Sequence, residues 1–238
     1  MEKVKSIILV LFVTLFVGEL SYAQDWSGLN RYKADNEKIG LPVAGERRVV
    51  FMGNSITDGW SNASPEFFAG KPYINRGISG QTTPQMLVRF RADVINLKPS
   101  VVVILAGTND IAGNTGLSTL EMIQNNIVSM VQLAKINHIK VVLCSVLPVL
   151  DYPWKPGLEP ADKVIALNKL LKATAKKEGV IYVDYYSSMV NEQKGMKEAY
   201  SEDGVHPNVA GYKVMEPLVE NAIAKALHKK NKQNELIK

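Results

Sequence analysis

Five short runs rich in apolar and β-branched residues recur along the chain, at Arg48–Met52, Pro72–Arg76, Val101–Ala106, Lys140–Leu147 and Val180–Tyr185. Each is closed by Gly, Asn, Asp or Pro, the signature of parallel strands buried on both faces. Between them the apolar period lengthens to that of a helix. Thr83–Leu97 carries Met86, Leu87, Phe90, Val94 and Leu97 on one face. Ser118–Asn137 opens with the capping-box pattern Ser118-Thr119-Leu120-Glu121 and repeats apolar residues at Leu120, Ile123, Ile127, Met130 and Leu133. Ala161–Glu178 stops at Gly179, and Asn208–His228 carries Pro217 in its interior, where a kink is expected. Strands alternating with helices predict an α/β fold. The expected form is a three-layer α/β/α sandwich around a five-stranded parallel sheet, flavodoxin-like in type.

Ahead of this pattern, Lys3 and Lys5 precede an apolar run from Ile7 to Val17, and Ser21-Tyr22-Ala23 supplies the small residues a signal peptidase reads. Residues 1–23 are therefore expected to be a signal peptide. The run falls short of the ~20 apolar residues that span a bilayer. Cleavage near Ala23 would give an exported protein, periplasmic or secreted, with no stable membrane anchor and a single domain over residues 24–238. Composition agrees: 46% hydrophobic and 21% charged residues describe a globular chain and exclude disorder. One cysteine, Cys144, excludes an internal disulfide framework and lies in an apolar run that predicts a buried thiol. The net charge of +5 is scattered except at Lys229, Lys230 and Lys232, and no basic stripe or motif points to nucleic acid.

In a parallel sheet, ligands bind beyond the carboxyl ends of the strands. Those ends carry Gly53-Asn54-Ser55-Ile56-Thr57, Asn75-Arg76-Gly77-Ile78-Ser79-Gly80 and Gly107-Thr108-Asn109-Asp110, and Asp203-Gly204-Val205-His206-Pro207 stands before the last helix. Taken singly, each reads more readily as a helix cap, a turn or an ordinary surface residue than as a site. Together they supply what acyl transfer needs. Ser55 is the candidate nucleophile and needs a base. His206 is that base, since His138 and His228 lie in polar surroundings. Asp203 is placed to orient the imidazole. The backbone N–H groups of Ser55 and Gly80 and the side-chain amide of Asn109 are candidate oxyanion donors.

This constellation resembles the SGNH hydrolase family, also called GDSL esterases. Gly53-Asn54-Ser55-Ile56 is similar to the GDSL block, with Asn54 for Asp and Ile56 for Leu. Gly80 matches the block II glycine, Gly107-Thr108-Asn109-Asp110 the G-x-N-D block, and Asp203-x-x-His206 the final D-x-x-H, over about residues 47 to 228. The resemblance implies a flavodoxin-like five-stranded sheet, catalytic Ser55, Asp203 and His206, oxyanion donors Ser55, Gly80 and Asn109, and no metal or cofactor. Asn75–Gly80 further resembles the branch of platelet-activating-factor acetylhydrolase catalytic subunits. In that branch an acidic residue often follows the second glycine, so Gln81 raises the expectation of an altered substrate contact.

The expected substrate is a short-chain acyl ester, foremost an acetyl ester, with acetylated carbohydrates among the candidates. Tyr152 and Trp154, in Pro148–Pro160, and Trp60, after the serine block, are candidate substrate contacts; packing onto the body is the competing reading for all three. No long amphipathic insertion resembling a lid is present. The alternatives are a lysophospholipase or other lipid acylhydrolase of the same family, a non-catalytic carbohydrate-binding protein, and a flavin or nucleotide binder. The last is disfavoured because the loop after strand one lacks a P-loop lysine and a G-x-G-x-x-G pattern. Oligomeric state is not legible from the sequence.

Overall fold

A computed structural model describes residues 25–228. The expected signal peptide and the lysines at 229, 230 and 232 lie outside the described residues. The sheet comprises β1 (Val49–Gly53), β2 (Tyr73–Gly77), β3 (Val101–Leu105), β4 (Lys140–Cys144) and β5 (Ile181–Val183). All neighbours pair in parallel, in the order β2-β1-β3-β4-β5. The helices are α1 (Lys33–Ile39), α2 (Ser55–Ala63), α3 (Pro65–Phe68), α4 (Thr83–Asp93), α5 (Thr108–Ile111), α6 (Leu120–Ile136), α7 (Ala161–Glu178), α8 (Tyr186–Met189) and α9 (Val209–His228).

Alternation of side chains along each strand creates two cores. Val50, Met52, Val102, Ile104, Val141 and Leu143 pack one face against Met86 and Phe90 of α4, Ile123 and Ile127 of α6, and Val164 and Leu167 of α7. Val49, Phe51, Val101, Val103, Val142 and Cys144 pack the other against Ile56 and Trp60 of α2 and Met215, Val219 and Ile223 of α9. The result is the predicted three-layer α/β/α sandwich. Cys144 is wholly buried, and desolvation pushes its thiol up to about 12. Among the described residues no helix is long and apolar enough to cross a membrane.

Local chemistry sets the element ends. The predicted helix over Thr83–Leu97 stops at Asp93 and continues as a 3-10 turn over Ile95–Leu97. A capping box forms there, between Thr82 and Gln85. The Ser118–Glu121 pattern does not form one: Thr119 caps α6, its Oγ1 accepting from Met122 N–H at 3.1 Å. Asn208 caps α9 through Gly211 N–H at 3.0 Å, and α9 runs through Pro217 without a break. β4 is shorter than predicted because Val146 N–H turns aside to Asn168 Oδ1 at 2.7 Å.

Trp60 corrects one sequence expectation. With 1% of its surface exposed it has nothing to offer a substrate. Its ring stacks between Phe67 (5.1 Å) and Tyr212 (5.2 Å) and meets Phe51 edge-on, sealing α2 onto the sheet. Its buried Nε1 has no hydrogen-bond partner. Trp60→Ala is expected to cost about 3–5 kcal/mol in urea unfolding. Trp60→Phe, which keeps the stack and removes the unpartnered N–H, should cost much less; equal costs would contradict this packing account.

Candidate active site

Strand order 2-1-3 places a topological switch point between β1 and β3, where a crevice opens at their carboxyl ends. Ser55 leaves β1 there as the first residue of α2. Asn54 caps the helix, its Oδ1 accepting from Ile56 N–H at 3.0 Å. The Asn54 departure from the GDSL block therefore keeps a capping oxygen. The Ser55 N–H, in the first turn, has no intrahelical acceptor and points to the positive end of the helix dipole. The turn is seated on bare backbone. A Cβ on Gly53 would stand 2.0 Å from Thr57 Oγ1, and one on Gly77 2.1 Å from Asp58 N, so both strands must end in glycine for α2 to approach.

His206 arrives from far along the chain, and its Nε2 lies 2.8 Å from Ser55 Oγ. Its Nδ1 lies 2.7 Å from Asp203 Oδ2. With Nδ1–H donating to the carboxylate, Nε2 presents its lone pair to the serine hydroxyl. Asp203 is itself fixed: its Oδ1 accepts from the N–H groups of Val205 (2.9 Å) and His206 (2.7 Å) and from Ser201 Oγ (3.1 Å). Partial burial pushes the Asp203 carboxyl up, but the bonds from His206 and Val205 outweigh it and hold it at about 2. It is an anion at any working pH. Ser55, His206 and Asp203 thus form one connected chain.

The loop after β2 and the turn after β3 meet beside them. Asn109, 2% exposed, donates from Nδ2 to the Gln81 carbonyl at 3.0 Å, which holds its amide against the loop just past Gly80. Gly80 adopts φ +78°, a conformation that leaves its peptide turned in a way other residues resist. Ile78 N–H donates to the Gly53 carbonyl at 3.1 Å, and Ser79 Oγ to Asp58 Oδ2 at 2.8 Å, so the loop is fastened to the start of α2. Asp110 locks the two loops together: its carboxylate accepts from Thr83 N–H (3.0 Å) and Thr83 Oγ1 (2.5 Å). Burial pushes this carboxyl up to about 6 against those bonds.

Trp154 stands at the mouth, 44% exposed, its ring centroid 6.0 Å from that of His206. Its Nε1 donates to Asn114 Oδ1 at 3.3 Å, and Asn114 Nδ2 donates to the Gly80 carbonyl at 3.2 Å. Tyr152 does not line the mouth. It is fully buried, its hydroxyl donating to the Thr108 carbonyl at 2.9 Å, and it props Trp154 from below at 5.0 Å. The expectation of a Tyr152 substrate contact is thereby corrected: the phenol finds its partners in the G-x-N-D turn. Gln81 likewise turns inward, 4% exposed, its Nε2 donating to the Ser27 carbonyl at 2.7 Å. Asn114, Asp58, Thr83 and Ser27 were not singled out in the sequence; Asp110, the last residue of its block, was the one available signal. Among the described residues no cluster of His, Cys, Asp and Glu could hold a metal ion.

Comparison with known proteins identifies the family and the fold. A model of the GDSL-like Lipase/Acylhydrolase family matches residues 51–214. A GDSL-like lipase from Bacteroides thetaiotaomicron superposes with a TM-score of 0.82 at 49% identity, covering 84% of this chain and 99% of that one. Esterase TesA of Pseudomonas aeruginosa is 30% identical over 71% of this chain and 80% of its own. An acetylxylan esterase of Xylanibacter ruminicola is 29% identical over 79% of this chain, which spans 45% of that protein.

The Asp110 carboxyl yields a pH prediction. A folded pKa of about 6 lies above the ordinary 3.8, so the folded protein holds this proton more tightly than the unfolded chain. The contribution is full below about pH 4 and is lost as pH rises through about 6. Asp110→Asn should lose less stability than the parent between pH 4 and pH 7 in denaturant unfolding. Identical losses in both proteins would refute the assignment.

Proposed function

The chain belongs to the GDSL-like lipase/acylhydrolase family, and we propose that within it the protein is a serine esterase for short acyl esters, acetyl esters foremost. One observation carries the reading: Ser55 Oγ lies 2.8 Å from His206 Nε2, whose imidazole is held 2.7 Å from Asp203. In this mechanism Ser55 Oγ attacks the ester carbonyl while its proton passes to His206 Nε2. Asp203 stabilises the resulting imidazolium. The tetrahedral oxyanion accepts hydrogen bonds from the N–H groups of Ser55 and Gly80 and from the Asn109 amide. Collapse breaks the ester C–O bond, and the leaving alcohol takes the proton from His206. A water molecule then gives its proton to His206 and attacks acetyl-Ser55; carboxylic acid departs and Ser55 regains its proton.

Several features support a short acyl pocket. The segment after β4 is tied rather than hinged: Asp151 accepts from the N–H groups of Tyr152 (2.9 Å), Gly157 (2.6 Å) and Leu158 (3.2 Å), and Lys155 Nζ donates to the Ala112 carbonyl at 2.7 Å. Such a segment does not open as a cover. The half-exposed Trp154 face next to His206 suits the alcohol side of an ester, including a sugar ring, and the likeness to an acetylxylan esterase agrees with a carbohydrate acetyl ester. Export after cleavage near Ala23 belongs to the same proposal and is checked by N-terminal sequencing of the protein from its native host.

Ser55→Ala should abolish ester hydrolysis and covalent labelling by a fluorophosphonate while the protein stays folded; persistent labelling would sink the assignment. Asn109→Ala should lower kcat of the folded protein by roughly 10²–10³-fold, beyond any fall in melting temperature from the lost tie to the Gln81 carbonyl; a lower melting temperature with kcat intact would make Asn109 a turn residue only. Across p-nitrophenyl esters of two to sixteen carbons, kcat/KM should be highest for the shortest acyl groups. A lipid pocket would instead gain ~0.8 kcal/mol for each methylene it buries. A maximum at eight carbons or beyond would move the protein to the lipid acylhydrolases.

A further inference from the structure

Beneath the crevice, α4 buries a full cation that no step of the proposed chemistry uses. The Arg89 side chain is entirely shielded from solvent, as is its ion-pair partner Asp93 at 2.9 Å. A buried pair of this kind is weak support for stability in itself, because the desolvation penalty offsets the attraction. Its other contacts are more telling. Arg89 Nη2 donates to the carbonyl of Gly53 at 3.0 Å, and Arg89 Nε donates to Gln81 Oε1 at 2.6 Å. Gly53 stands two residues before Ser55, and Gln81 directly follows Gly80. The Gln81 carbonyl in turn accepts from the Asn109 amide at 3.0 Å.

The three oxyanion donors of the proposed function therefore leave three different strands, yet each lies within two residues or one hydrogen bond of a residue that Arg89 grips, Gly53 through its carbonyl and Gln81 through its side chain. The guanidinium is a planar fork whose donors point in fixed directions, a geometry that lysine cannot reproduce. Asp93 holds the far side of the fork, and Asn36 Nδ2 fixes Asp93 from behind at 2.7 Å. We propose that Arg89 is a positioning residue that sets the spacing of the oxyanion donors by pinning the end of β1 to the Gly80–Gln81 segment. It touches neither substrate nor the Ser55–His206–Asp203 chain. Its effect on rate runs through the placement of the N–H groups, where misplacement by about an ångström can cost 10²-fold.

The inference rests on the esterase reading, and its test separates the two. Arg89→Met combined with Asp93→Asn removes the buried charges together and keeps an oxygen for Asn36. Arg89→Lys keeps the charge beside Asp93 and removes the fork; it decides the matter if the double variant does not fold. Both are assayed on p-nitrophenyl acetate, with Ser55→Ala and fluorophosphonate labelling of the parent run alongside. The folded variants should lose roughly 10–100-fold in kcat and in phosphonylation rate. KM should stay within about threefold, and the midpoint of the pH–rate profile should not move, because the triad is untouched. A folded variant with kcat within twofold of the parent would overturn the positioning role, as would a kcat loss accompanied by a shifted pH profile. Failure of the parent to label at Ser55 would instead overturn the esterase reading.

Discussion

The seat of the α2 first turn on bare strand ends is the constraint on which the rest of the site depends. Gly53 and Gly77 leave no side chain between the sheet and the helix, so Thr57 and Asp58 rest directly on backbone. That contact fixes where Ser55 leaves the sheet and which way its hydroxyl and N–H face. Trp60 then clamps the same helix from its far end through stacked aromatic rings. With the serine immobile, the imidazole can be brought to it on a separate turn whose geometry Asp203 governs with three bonds from its own neighbourhood. Rigidity on one side and a self-contained turn on the other allow a 2.8 Å contact between residues 151 positions apart.

Polar ties do at the crevice what apolar packing does elsewhere. The loops after β2 and β3 carry few large side chains, so hydrophobic burial cannot hold them together. Buried hydrogen bonds substitute: Asp110 to Thr83 and Asn109 to the Gln81 carbonyl, with an exposed link through Asn114 between Gly80 and Trp154 at the rim. A buried polar group is costly when unpaired, so each tie resists displacement more strongly than its net contribution to stability suggests. The raised Asp110 carboxyl is a sign of that tension.

How much of this was legible in the sequence follows from the range of each interaction. The central strands β1, β3 and β4 were visible because burial on both faces leaves uninterrupted apolar runs, and α7 was read to the residue because Gly179 closes it in the left-handed conformation, φ +69°. Ser55, Gly80, Asn109, Asp203 and His206 stood out because each sits in a short block at a strand or helix end. Aromatic residues were harder. Trp60, Tyr152 and Trp154 look alike in sequence, yet the fold buries the first two and leaves only Trp154 at the mouth, a choice made by distant partners such as Tyr212 and Thr108. The inward role of Gln81 was not legible for the same reason: its partners, Ser27 and Arg89, lie on segments whose approach no local pattern announces. Helix α1 escaped notice because seven mostly polar residues, none of them buried, carry no usable period.

The central claim is that three strand ends present three donors to one point beside Ser55. A crystal structure of the protein after reaction with a small methyl fluorophosphonate tests it directly, because the adduct places a phosphoryl oxygen where the oxyanion would form. The account predicts that oxygen at about 2.7–3.1 Å from the N–H nitrogens of Ser55 and Gly80 and from Asn109 Nδ2. A phosphoryl oxygen turned to solvent, with the Asn109 amide bonded only to the Gln81 carbonyl, would contradict it.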